Sequence, residues 1–200
     1  NNFTLGKLVN CSNNLNEPIH RWFNIKEGYS KKLVEIFINR FSLKENDIIM
    51  DPFTGSGTTL LTAKEKNINA IGFEINPFLS YVARNNLHNL NNTDLKKIQN
   101  FLKILKISKK KNLKLIPKLS ISNKLFLNNI AEITNLKKDI LDIKSKKVRD
   151  LLFLGYLTIL EECSTAKKDG NGLKYKKKFI QPNIKINFEK KINQILKDIN

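Results

Sequence analysis

Cysteine is almost missing from these 200 residues: Cys11 and Cys163 stand far apart, with neither metal-ligand spacing nor a disulfide framework, which fits a reducing compartment. Long apolar runs are missing too. The longest, Leu151 to Leu160, is flanked by Arg149 and Asp150 and by Glu161 and Glu162. A membrane span needs about 20 apolar residues, so this run reads as a core helix and a membrane location is not expected. No signal-peptide order of charged, apolar and small residues opens the chain, which starts at Asn1 rather than Met, so a cytoplasmic processed chain or fragment is expected. His20 and His88 have no sequence partners that would point to a metal or a nucleophile. Arginine is confined to Arg21, Arg40, Arg84 and Arg149, and acidic residues number 18 against 36 basic ones.

The resulting formal charge of +18 predicts a polyanionic partner, with nucleic acid ahead of an anionic membrane. The dominance of Lys, Asn and Ile also fits a biased codon usage, so charge alone does not establish that partner. The length suits one domain able to bury a core. Residues 1–92 read as a ligand-binding βαβ region with a preceding helix. Residues 93–200 read as a mainly helical, lysine-rich continuation or subdomain, with Pro117 marking one break.

Within the first region, Ser30 is a good N-cap for a helix that carries Leu33, Val34, Phe37, Ile38 and Phe41 on one face. A short buried strand, Asp47 to Met50, runs into Asp51-Pro52-Phe53-Thr54-Gly55-Ser56-Gly57-Thr58-Thr59 and then a helix around residues 60–66. A second strand, Ala70 to Phe73, ends at Glu74, and Asn76-Pro77 opens another helix. Strand, glycine loop, helix and strand in that order predict a right-handed βαβ unit, and so an α/β fold with a parallel sheet.

The glycine loop is the candidate ligand site. Gly55 and Gly57 permit positive φ and close backbone approach, and a helix N-terminus follows. The spacing is neither the dinucleotide fingerprint nor the Walker loop, and Asp51 places a carboxylate where a phosphate would be repelled. A carboxylate there suits a ligand bearing an amino group, such as the methionine moiety of S-adenosylmethionine. Glu74, about 20 residues after the loop begins, stands where an acidic side chain accepts ribose hydroxyls.

From residue 18 to residue 87 the sequence resembles the amino-methylating DNA methyltransferases, which modify cytosine N4 or adenine N6. Their first motif looks like Asp51 to Thr58, their preceding helix looks like the segment from His20 to Glu35, and their acidic strand end is similar to Phe73-Glu74-Ile75-Asn76-Pro77; residues 151–178 give a weaker echo. The resemblance implies a partial Rossmann-like methyltransferase fold with a helical insertion or subdomain. It also implies S-adenosyl-L-methionine as cofactor, with Tyr29 and Ser30 at the methionine carboxylate, Phe53 bordering its methionine or adenosine portion, Ile75 flanking the adenine, and Pro52, Thr58 and Asn76 among the cofactor-binding residues. His20, near Trp22, would be structural and pack the cofactor lid.

The same family requires an Asp, Asn or Ser followed by Pro-Pro and an aromatic residue, a loop that binds the target amino group of the extruded base. No Pro-Pro occurs in this chain. The expectation is therefore the cofactor-binding part of a site-specific DNA methyltransferase, in a restriction-modification setting, with double-stranded DNA as partner and a second chain or downstream region carrying the catalytic loop. No catalytic residue is assigned. Lys167, Lys168, Lys174, Lys176 and Lys177, in a glycine-bearing loop with Tyr175, are candidate DNA-phosphate contacts. Two other readings are an RNA guanine-amino methyltransferase and a catalytically inactive nucleic-acid-binding subunit or truncated product.

Overall fold

Short apolar strands alternating with capped helices shape the first half of the chain in the computed structural model, which describes residues 5–23, 25, 27–112, 114, 122–169, 172–177, 180 and 182–199. Contacts divide the chain into two compact units, residues 1–89 and residues 90–198.

In the first unit a 3-10 turn, Ser12–Asn16, precedes helix α1, Lys31–Arg40. The Ser30 hydroxyl accepts from the Leu33 amide at 3.4 Å, so the cap forms where the sequence predicts it. Strands β1, Ile48–Asp51, and β2, Asn69–Gly72, pair in parallel, with Ile49 opposite Ala70 and Met50 opposite Ile71. Helix α2, Thr58–Glu65, joins them. Val34 and Ile38 of α1 bury against Ala63 and Ile68, and Ile49 and Ala70 pack onto that cluster from the sheet. Helix α3, Pro77–Asn86, starts with Pro at a position that needs no amide, and the Asn76 side chain caps the Phe78 and Leu79 amides.

The second unit is mainly helical. It comprises α4, Asn92–Ile104, with a capping box between Asn91 and Asp94, then α5, Ser122–Phe126, α6, Ile130–Leu141, and α7, Lys146–Ile159. Helix α8, Ile184–Ile199, follows a β-hairpin. Leu151, Leu152, Leu154 and Ile159 of α7 are buried with Phe188, Ile192 and Ile195 of α8. Gly155 admits the Ile192 side chain: a Cβ there would lie 2.4 Å from its Cδ1. No described helix is long and apolar enough to cross a membrane.

The lysine-rich stretch after α7, expected as a loop, is instead an antiparallel pair, β3, Ala166–Asp169, and β4, Gly172–Tyr175. Backbone pairing satisfies its polar groups even though its side chains are mostly charged, a force that hydropathy patterns do not register. The Pro117 break and Gly170, Asn171 and Lys178 lie outside the described residues. Among the described residues the fold is thus mixed α/β with two small sheets.

Candidate functional site

Asp51 ends β1, and both its oxygens are engaged. The Phe53 amide donates to Oδ1 at 3.0 Å, and the Tyr29 hydroxyl donates to Oδ2 at 2.7 Å. The same hydroxyl lies 2.5 Å from Thr59 Oγ1. Burial raises the Tyr29 phenol to about 12; the Thr59 contact opposes this, and Asp51 adds to it. Tyr29 therefore stays a neutral donor, and it fixes which way the Asp51 carboxylate faces.

The loop then turns through two left-handed glycines, Gly55 at φ 56° and Gly57 at φ 90°. Each is required for a different reason. A Cβ on Gly55 would meet nothing nearer than 4.0 Å, so its constraint is backbone conformation and its surroundings are open. A Cβ on Gly57 would press to 3.0 Å from the Ala83 Cβ of α3, so conformation and packing both demand glycine.

Glu74, just past β2, closes the arrangement. Its Oε2 accepts from the Gly55 amide at 2.8 Å and its Oε1 from the Asn76 amide at 2.7 Å. One carboxylate thus ties the glycine loop to the tip of the second strand. Each carboxylate oxygen has a second acceptor direction, so both remain able to receive hydroxyl donors. Beside it Ile75 is fully exposed and Phe53 is 85% exposed, two apolar side chains standing free at the loop.

The other residues singled out by sequence have local duties. Ser30 is fully buried, its amide on the Leu8 carbonyl and its hydroxyl on the cap. Thr58 is buried and starts α2. Asn76 spends its side-chain oxygen on the α3 cap, and Pro52 lies in the turn beside Asp51. His20 is buried with its Nε2 3.8 Å from Glu65 Oε1, beside the bond of 2.8 Å from Lys31 Nζ to Glu65 Oε2.

Three supports were not foreseen. Gly72 allows Thr54 to approach, since a Cβ there would fall 2.1 Å from Thr54 Oγ1. The buried Asn86 donates from Nδ2 to the Ser56 carbonyl at 3.1 Å, and Thr59 meets Tyr29. A glycine at a strand end was the one readable signal among them. A cavity of about 570 Å³ lies elsewhere, at the opposite ends of the strands, lined by Glu45, Asn46, Lys64 and Asn69 among others. It contains none of the loop residues. Among the described residues no group of His, Cys, Asp and Glu could hold a metal ion.

In the second unit the candidate phosphate contacts fall on the hairpin or just after it. Lys167 stands opposite Lys174 across the two strands, and Lys174 Nζ pairs with Asp169 at 3.2 Å. Lys167, Lys168 and Lys177 are exposed. Lys176 differs: its Nζ donates to the carbonyls of Glu161, Glu162 and Ser164 at 2.9, 3.2 and 2.7 Å. It holds the carbonyls that follow α7.

Residues 10–85 match the family model described as DNA methylase, a span that encloses the glycine loop and Glu74. The chain is similar to Type II methyltransferase M.BsoBI of Geobacillus stearothermophilus, 36% identical over 174 residues, which cover 84% of this chain and 34% of that protein. It is also similar to Type II methyltransferase M.AvaI of Nostoc sp. (strain PCC 7120), 26% identical over 92% of this chain and 39% of that one. A shorter stretch of 44 residues is 54% identical to Type II methyltransferase M.HindIII of Haemophilus influenzae, covering 22% of this chain and 14% of that one. The chain therefore spans between 34% and 39% of the length of the first two relatives. No solved structure matches it.

Proposed function

We propose, from the match of residues 10–85 to the DNA methylase model, that this chain supplies the S-adenosyl-L-methionine-binding part of a site-specific DNA methyltransferase. The observation that carries the proposal is the Glu74 carboxylate bonded to the Gly55 amide, which draws an acidic strand tip onto a glycine loop already flanked by Asp51. The donor set suits the ligand. Glu74 has acceptor capacity for a ribose diol, Asp51 offers a carboxylate to an ammonium group, and exposed Phe53 and Ile75 offer apolar surface to a nucleoside.

When bound, the cofactor supplies the sulfonium methyl group that the reaction moves to an exocyclic amino nitrogen, cytosine N4 or adenine N6, as in restriction-modification. This chain's residues bind and orient: Tyr29 holds Asp51, Glu74 holds Gly55, and the two glycines let the backbone approach. With no Pro-Pro loop in the sequence, the group that would receive the target base belongs to polypeptide other than these 200 residues.

Calorimetric titration of the full chain with S-adenosylmethionine tests the reading. Wild type is expected to bind one equivalent, and Asp51→Ala and Glu74→Ala each to weaken binding about tenfold or more, since a charge-assisted hydrogen bond contributes about 1.5–3 kcal/mol. Absence of binding by the folded wild type would sink the proposal.

A further inference from the structure

The peptide unit between Ser56 and Gly57 is held at both of its polar ends. Its N–H, that of Gly57, donates to the Thr54 carbonyl at 2.9 Å, and its C=O, that of Ser56, accepts from Asn86 Nδ2 at 3.1 Å. The first bond is internal to the turn, whereas the second comes from the last residue of α3. Ala83, three positions earlier and so on the same face of α3, is the residue against which Gly57 packs. The end of α3 therefore braces the loop at two adjacent points, one by contact and one by a hydrogen bond.

The hydrogen bond is the one that fixes orientation. Gly57 sits at φ 90°, and a glycine reaches either sign of φ at little cost, so packing alone leaves the preceding peptide able to rotate. A rotation that carried the Ser56 carbonyl away from Asn86 would also pull the Gly57 amide off Thr54, re-aiming two polar groups of the loop at once. Asn86 is 3% exposed and its Oδ1 meets no donor among the described residues, so the bond to Ser56 is what fixes its amide group. Its neighbour Asn85 is as deeply buried but donates to the Tyr81 carbonyl inside its own helix, which makes it a supporter of α3 and not of the loop.

We infer that Asn86 is a positioning residue for the cofactor site: by holding the Ser56 carbonyl it locks the Ser56–Gly57 peptide, and with it the loop conformation that receives S-adenosylmethionine. The inference rests on the cofactor reading and adds to it a residue that acts only through the loop.

The test titrates S-adenosylmethionine into the full-length wild type, Asn86→Ala, Asn86→Asp and Asn85→Ala by calorimetry, at a temperature where melts show each to be folded. Asn86→Ala is expected to weaken binding about tenfold, the scale of one lost hydrogen bond whose partner is left unsatisfied. Asn85→Ala is expected to lower the melting midpoint while leaving affinity at the wild-type value, which separates loop positioning from support of the helix. Asn86→Asp supplies a rescue. Ionised, its carboxylate repels the Ser56 carbonyl; protonated, it donates again, and burial favours the protonated form, so its affinity relative to wild type should recover as pH falls from about 8 to about 5.5. Unchanged binding by Asn86→Ala, equal weakening by Asn85→Ala, or a pH-independent deficit in Asn86→Asp overturns the inference. Hydrogen exchange without cofactor distinguishes the two ideas: the Gly57 amide should exchange faster in Asn86→Ala than in wild type, and equal exchange removes the lock whether or not wild type binds. A wild type that binds nothing removes the cofactor reading, and with it the task assigned to the lock, even where the exchange difference is found.

Discussion

Gly57 combines two demands that a single methyl group would violate, a φ of 90° and a contact 3.0 Å from Ala83. Gly57→Ala is therefore expected to lower stability by about 1–3 kcal/mol, the usual scale for a strained non-glycine backbone, read as a lower urea midpoint with an unchanged m-value. An unchanged midpoint would show that α3 can retreat from the loop. The need for glycine at this position was legible in the sequence, because Asp51 to Thr58 announces a tight turn between strand and helix. Its neighbours across space were not. Tyr29 on Asp51, Thr54 under Gly72 and Asn86 on Ser56 join residues about 20 to 30 apart or on different elements, and no periodicity within one segment encodes such pairings.

At the scale of elements, α2 is fastened to the start of α1 by charge. Burial pushes the Glu65 carboxyl up, but the facing His20 and Lys31 side chains outweigh it and leave Glu65 below its ordinary value of 4.5. A carboxyl lowered on folding adds stability that is present above its unfolded value and is lost as pH falls through its folded value. Urea midpoints should therefore drop as pH falls from about 5 toward 3, and the drop should be shallower for Glu65→Gln; parallel acid profiles for the two proteins would remove this linkage. The element boundaries at Ser30 and Asn76 were readable, as both are caps with a local mechanism. The β3–β4 hairpin was not. Four-residue strands bearing Lys167, Lys168 and Lys174 show no apolar alternation, and only the partner strand reveals them.

At the scale of the molecule, charge is divided unequally. Residues 1–89 hold 10 basic and 8 acidic side chains, whereas residues 90–200 hold 26 basic and 10 acidic. The glycine loop thus sits in a nearly neutral unit and the cationic surface in the other. Binding to duplex DNA is expected to weaken steeply as salt rises, and Lys167→Ala with Lys168→Ala should lessen that dependence by about two phosphate contacts. Lys176→Ala should instead lower the melting midpoint, since its ammonium serves three backbone carbonyls. Fluorescence anisotropy across a salt series, paired with thermal melts, checks both, and a salt slope unmoved by the double variant would remove Lys167 and Lys168 as phosphate contacts.

The early segment of the chain also acquires a task from Asn14. Its amide group donates to the Tyr29 carbonyl at 3.0 Å and its oxygen accepts from the Lys31 amide at 2.8 Å, while Tyr29 reaches onward to Asp51. Asn14 works as a buckle whose strap ends at the acidic tip of the first strand. A shortened chain that began beyond residue 16 would keep every β1–β2 backbone bond and yet leave that tip free to swing, so the aim of Asp51 is set by residues remote from the motif that contains it.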